Sequence, residues 1–160
     1  MKKILLVFVA FSLMSCGSGY LANKMEREFK GDWVLTEVSF PNSSGFFDVS
    51  LFNLGEVSCF ENSEWSFVSN NNTGEFQLFG NDCIRETQEF AWSIDPTTIE
   101  SNVQEMVFKI TTDQNARKVT QGSRIRIKSL LANTMIWEQS VNFEGDPINI
   151  QMEFKRQVNQ

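Results

Sequence analysis

Residues 134–155 read TMIWEQSVNFEGDPINIQMEFK, and apolar and polar side chains alternate along this stretch. Apolar residues at 135, 137, 141 and 143 alternate with polar residues, and a second alternating run occupies 148–155. Glu144-Gly145-Asp146-Pro147 stands between the runs and is typical of a turn. A period of two residues with one apolar face predicts two antiparallel strands that form a hairpin with one buried face.

The same period recurs through most of the preceding chain. It predicts eight strands, at roughly 33–40, 63–69, 74–79, 87–94, 105–111, 123–131, 134–143 and 147–156. Most connections are short and none has the pattern of a crossover helix, so consecutive strands are expected to pair antiparallel. Eight such strands can close and remove both sheet edges. We therefore expect an all-β fold, an eight-stranded antiparallel up-and-down barrel rather than a sandwich, with a short N-terminal helix.

The first sixteen residues have the layout of a secretory signal peptide. Lys2 and Lys3 precede an apolar run over 4–13 that is too short to span a bilayer as a mature helix. Leu13-Met14-Ser15-Cys16 resembles the lipobox of bacterial lipoproteins, which implies cleavage before Cys16 and acylation of that cysteine. An ordinary signal peptide that contains a cysteine is the alternative. We expect a signal peptide over 1–15, an acylated tether and short helix over 16–30, and a barrel domain over 31–160.

An acylated Cys16 also implies a location. Cleavage leaves 12 basic and 20 acidic residues, a net charge of −8, so acyl chains rather than charge must hold the protein on a membrane. Gly17 follows the cysteine in place of Asp, which by resemblance to bacterial lipoproteins implies the outer membrane. We expect a periplasm-facing outer-membrane lipoprotein, with exposure at the cell surface as the alternative.

A short helix is predicted just before the first strand. Leu21, Met25 and Phe29 recur at every fourth residue between charged residues, which indicates one apolar stripe. We expect this stripe to cover one end of the barrel.

The composition excludes several classes of function. The 160 residues include no His, and the net charge is −6. An acidic chain is not expected to bind the phosphate backbone of nucleic acid, and the commonest general base and metal ligand are lacking. Carboxylates are scattered rather than spaced as in a metal-binding loop. We expect no enzyme activity, no metal and no cofactor.

Cys59 and Cys83 are expected to form a disulfide bond. They lie in the first and third connections, which fall at the same end of an up-and-down barrel, and the export signal places them in an oxidising compartment. The chain-entropy estimate for this bond is about 3 kcal/mol. Two free thiols are the alternative.

Gly31-Asp32-Trp33 opens the first predicted strand. This start resembles that of lipocalins, in which a Gly-x-Trp begins an eight-stranded barrel and the Trp closes its narrow end, and the resemblance implies that role for Trp33. The chain over about residues 28 to 156 resembles the lipocalin-like domain lipoproteins of Bacteroidetes. The further positions that carry this resemblance are Cys59, Trp65-Ser66-Phe67, Cys83, Trp92-Ser93-Ile94 and Met135-Ile136-Trp137-Glu138. The turn Ala132-Asn133-Thr134-Met135 lacks the Thr-Asp-Tyr of true lipocalins, so classical transport of retinol-like molecules is not implied.

Large rings dominate the inner face of the predicted barrel. The candidate ligand-lining residues are Trp65, Phe67, Phe76, Phe90, Trp92, Phe108, Trp137 and Phe143, and Phe154 shares their face. We expect the barrel to bind a small apolar or amphipathic ligand in a cavity that these residues line, with a solid core as the alternative. In the second case the alternative function is an interaction module that docks an envelope protein, as an inhibitor or assembly subunit.

The first connection, residues 41–62, is long and apolar. Phe46, Phe47, Leu51 and Phe52 are expected to cap the open barrel end, with a movable lid or an exposed partner-binding patch as alternatives.

A basic stripe lies on the outer face of the predicted sixth strand. Arg124, Arg126 and Lys128 alternate with isoleucines and are expected to pair with carboxylates such as Glu138. An anion site is the alternative, for which Arg117 and Lys118 in the fifth connection are better placed.

Overall fold

The structure is a computed structural model that describes residues 17–43, 49–99, 101, 103–112, 119, 121–143 and 145–157. The helices among these residues are α1 (Gly17–Phe29) and α2 (Val57–Phe60). The strands are β1 (Gly31–Ser39), β2 (Ser50–Leu51), β3 (Gly55–Glu56), β4 (Glu64–Val68), β5 (Thr73–Gln77), β6 (Gln88–Ile94), β7 (Gln104–Ile110), β8 (Ser123–Leu130), β9 (Thr134–Phe143) and β10 (Asp146–Arg156).

Eight of the strands in the described residues form a closed antiparallel barrel. Their order is β1-β10-β9-β8-β7-β6-β5-β4, so each strand pairs with its neighbours along the chain and β1 closes the sheet against β10. The predicted fold class is confirmed, and the barrel is compatible with a lipocalin-like fold. Each barrel strand lies within two residues of its predicted bounds.

The alternation of strand direction gives the barrel two distinct ends. We call the end that carries α1 and the connections after β4, β6 and β8 the helix end. The loop end carries the connections after β1, β5, β7 and β9.

The first connection contains structure that the sequence pattern did not predict. β2 and β3 pair as a small hairpin, and α2 follows directly. Phe52 and Asn53 turn the hairpin with φ angles of 53° and 58°, and the Leu54 N–H donates to the Leu51 carbonyl. Two successive positive φ angles are those of a type I′ turn, which an aromatic residue rarely enters.

The buried stripe of α1 differs at one position from the prediction. Met25 and Phe29 are buried as expected, but Leu21 is exposed and Ala22 is buried in its place. Residues 22, 25 and 29 lie within about 60° of one another around the helix, since each residue turns it by about 100°. Leu21 lies outside that sector.

Gly74 makes room for a ring inside the barrel. It pairs with Phe90 across β5 and β6, and a Cβ at residue 74 would lie 2.2 Å from Cζ of that ring. Because residue 74 is a glycine, the Phe90 ring can occupy this part of the interior.

The outer wall is partly covered on β6 and β7. Ala91, on the face predicted to be polar, is buried together with Val107 and Val119 in a small cluster outside the main core. Val119 belongs to the fifth connection, and its carbonyl accepts a hydrogen bond from the Ser93 hydroxyl at 3.1 Å.

The basic stripe is paired as predicted. Arg126 and Lys128 approach the Glu138 carboxylate at 2.8 and 3.4 Å, and Arg124 contacts Asp95 and Glu105 at 3.0 and 3.1 Å.

Candidate functional site

The barrel interior is a continuous network of aromatic rings. Trp65 stacks on Phe76 with ring centroids 4.1 Å apart and meets Trp137 edge to face at 5.8 Å. Phe90 and Phe108 lie 4.9 Å apart, and Trp137 and Phe154 lie 4.5 Å apart. These spacings are typical of rings in direct packing contact.

The structure brings the candidate ligand-lining residues together. Trp65, Phe67, Phe76, Phe90, Trp92, Phe108 and Trp137 are buried in one core, and Phe143 is partly buried against it.

At the helix end, α1 closes the barrel with one ring. Phe29 lies 5.0 Å from Trp92, 5.7 Å from Phe67 and 6.4 Å from Trp137, measured between ring centroids. Trp33, the residue that the lipocalin resemblance places at this end, is fully buried, and its Nε1 donates to the Phe29 carbonyl at 2.8 Å.

Arg156 stabilises the same end, and no sequence motif indicates it. Its guanidinium carbon lies 4.0 Å from the Trp33 ring centroid, and its N–H groups donate to the carbonyls of Lys30, Glu28 and Ala132. One side chain thus joins α1, β1 and the turn after β8. Only the register of β1 against β10, which pairs Trp33 with Arg156, would have indicated it.

At the loop end, the first connection covers the interior. Leu51 and Phe60 are buried, and the partly buried Phe52 lies 4.8 Å from Phe108 and 6.4 Å from Trp65. The predicted cap residues Phe46 and Phe47 lie outside the described residues.

A disulfide bond anchors this cover, as predicted. Cys59 in α2 is bonded to Cys83 in the connection after β5, with the Cα atoms 5.6 Å apart. Cys59 is also buried. The bond therefore joins the first connection covalently to the connection after β5.

Two buried polar atoms on the inner face of β9 lack partners. Among the described residues, no group accepts a hydrogen bond from Trp137 Nε1 and none donates to Gln139 Oε1. The two residues are two apart in one strand, so their side chains share a face. The predicted inner face omitted Gln139, although its position in the alternation with Trp137 is sufficient to find it.

A cleft of about 800 Å³ lies outside the barrel, between α1 and the helix-end edge of β6 to β8. Ala22, Ile94, Val107 and Val119 provide apolar lining, and Glu26 and Arg124 provide charge. Burial raises the pKa of the Glu26 carboxyl, while hydrogen bonds from the Ile94 N–H, at 3.2 Å, and from the Asn72 side chain oppose that rise.

The predicted site residues Cys16, Arg117 and Lys118 lie outside the described residues. Within the described part of the chain, no three His, Cys, Asp or Glu side chains group as a metal site, and no helix is long and apolar enough to cross a bilayer. No protein-family model matches this chain, and the comparison with curated proteins finds no match.

Proposed function

We propose that this protein is a lipid-anchored envelope protein of the lipocalin-like Bacteroidetes type, and that it acts by docking another protein at its surface. In this proposal residues 1–15 are a signal peptide, Cys16 carries the acyl chains, and the outer membrane is the location. The barrel is the rigid body that presents the docking surface.

The observation that supports the docking role is the close packing of aromatic rings inside the barrel. Trp33, Trp65, Trp92 and Trp137 are all fully buried, and rings from α1 and from the first connection cover the two ends. An eight-stranded barrel is either filled by side chains or holds one small ligand, and this aromatic packing favours the filled case.

The loop end is the surface we assign to the partner. The exposed side chains Glu56, Glu61, Asp82 and Glu86 surround the disulfide-anchored connections, beside Arg85. Such a surface fits a basic partner, and raised salt should weaken the complex.

In-cell photocrosslinking tests the docking surface. A photoreactive amino acid at exposed Phe79 or Glu61 should yield a discrete protein adduct in intact cells, whereas the same group at exposed Lys155 near the helix end should not. The absence of an adduct from both loop-end positions would contradict the proposal.

Metabolic labelling tests the anchor separately. An alkyne fatty acid should label the wild type and leave Cys16→Ala unlabelled. An unlabelled wild type would remove the anchor from the proposal without affecting the packed barrel.

Binding of a small amphipathic ligand in the barrel is a second candidate. The unpartnered Trp137 Nε1 and Gln139 Oε1 favour it, because a ligand hydroxyl can accept from an indole N–H and can donate to an amide oxygen.

Titration with a medium-chain alcohol, followed by Trp fluorescence, tests this second candidate. Saturable binding that weakens about tenfold in Gln139→Leu, but not in the neighbouring exposed Ser140→Ala, would support it. A fluorescence signal that does not saturate would count against it.

A further inference from the structure

We propose that the helix end of the barrel rests on the surface of a lipid bilayer, as a second contact beside the acyl anchor. This inference rests on the proposed acylation of Cys16. It assigns an orientation: the helix end faces lipid, and the loop end faces away.

Exposed large apolar side chains concentrate at the helix end. Among the described residues they are Tyr20 at 70% exposure, Leu131 at 63%, Val68 at 44%, Leu21 at 43% and Val103 at 37%, with Phe79 at 42% on the loop end. Tyr20 and Leu21 lie in α1, Val68 ends β4, Val103 precedes β7, and Leu131 follows β8. Strand direction therefore places Val68, Val103 and Leu131 at the helix end, and Tyr20 and Leu21 belong to the helix whose Phe29 closes that end.

The proposed acylation site directly precedes α1, at the same end of the barrel. α1 begins at Gly17, the residue directly after Cys16, so no length of flexible chain separates the proposed acyl chains from the folded domain. Leu21 lies about 6 Å along the helix axis from Gly17, at about 1.5 Å per residue. A lipid-bearing Cys16 would therefore hold Tyr20 and Leu21 close to the headgroups, where amphipathic Tyr side chains are favoured.

The charge distribution favours the same orientation. Each end comprises the connections at that end and the two strand residues that adjoin each connection, and the helix end also includes α1; only described residues are included. The helix end has five basic side chains (Lys24, Arg27, Lys30, Lys155, Arg156) and five acidic ones (Glu26, Glu28, Asp32, Asp95, Glu105). The loop end has two basic side chains (Arg85, Lys109) and seven acidic ones (Glu56, Glu61, Glu64, Asp82, Glu86, Glu89, Asp146). Arg124 begins β8 but is assigned to neither end, because it contacts Asp95 and Glu105 of the helix end. Anionic lipid repels the loop end and tolerates the helix end.

Spin-label accessibility in vesicles tests this orientation. The acylated protein carries one added cysteine, Leu131→Cys or the control Phe79→Cys, since Cys59 and Cys83 are bonded to each other. It is reconstituted on vesicles of phosphatidylethanolamine and phosphatidylglycerol. We expect the ratio of collision with oxygen to collision with a polar nickel complex to exceed one at position 131 and to fall below one at position 79.

Three outcomes would overturn the inference. A protein that floats with vesicles while both labels collide mainly with the nickel complex is anchored but not seated on lipid. A label at 131 shielded from both reagents, with spin–spin broadening, indicates a second copy as the occupant. An acylated protein that fails to float removes the anchor, and the inference with it.

Discussion

Arg156 combines a cation–π contact with three backbone hydrogen bonds, so its substitution should destabilise the helix end. We expect Arg156→Lys to lower the free energy of unfolding by about 1–2 kcal/mol, because an ammonium group cannot reproduce the planar fork that stacks on Trp33. The adjacent exposed Lys155→Met should change it by less than about 0.5 kcal/mol. Equal effects of the two substitutions in urea titrations would show that the Trp33 contact does not contribute.

Glu26 should make the protein less stable as its carboxyl ionises. Burial raises the folded pKa of Glu26 above the unfolded value of 4.5. The stability that this carboxyl contributes is therefore present below that value and is lost as pH rises through the folded pKa. Glu26→Gln keeps an acceptor for the Ile94 N–H. We expect this variant to gain stability relative to the wild type between about pH 4 and pH 7.

Asp95 gives a control of opposite sign. Hydrogen bonds from Thr97, and then from Arg124, lower its pKa below 3.8, so its contribution is present at neutral pH and is lost as pH falls through the folded pKa. Asp95→Asn should therefore lose stability relative to the wild type at neutral pH, by less than about 1 kcal/mol because its partner Arg124 is exposed. These assignments would be contradicted if urea titrations at about pH 4 and pH 7 gave both variants a stability change of the same sign relative to the wild type.

These residues also mark a limit of sequence reading. Leu21 was expected in the buried stripe because its spacing fits, whereas the position of α1 against the barrel selects Ala22. Arg156 carries no local motif, and its role depends on strand closure between the two ends of the chain.

In the first connection, Phe52 holds a positive φ angle in the β2–β3 turn while its ring packs on Phe108. Such a backbone costs on the order of 1–3 kcal/mol, and ring burial offsets it. We expect Phe52→Ala to lower the free energy of unfolding by about 2–4 kcal/mol. Exposed Phe79→Ala at the same end should stay within about 0.5 kcal/mol, and a similarly small effect at Phe52 would show that the connection is not a cap.

The disulfide bond should contribute through the same connection. Replacement of both Cys59 and Cys83 by Ala should cost about 2–4 kcal/mol, since the bond limits the unfolded chain over a sequence separation of 24. A reductant should shift the wild type by a similar amount and leave the double variant unchanged. A wild type insensitive to complete reduction would contradict this role.

The barrel strands were predictable because one buried and one solvated face impose a period of two on the sequence. The β2–β3 hairpin was not, because its two-residue strands are too short to show a period and its turn residue Phe52 lacks the usual turn chemistry. The pairing of Cys59 with Cys83 was predictable, since up-and-down order alone places both at one end.

For the molecule as a whole, the sequence predicted the barrel and the rings inside it, but not whether they leave space. Volume depends on how Gly74, Phe90 and the cap fit together, and a linear pattern does not contain that information. We infer that aromatic side chains fill the interior, and we propose that function lies on the surface.

Native mass spectrometry of the intact, unfractionated protein extracted from its membrane tests that claim most directly. We expect the mass of the polypeptide from Cys16 onward with its covalent acyl groups, with no small molecule bound to it. A small molecule that stays bound to the folded protein and is released on unfolding would contradict it, and would place the function inside the barrel.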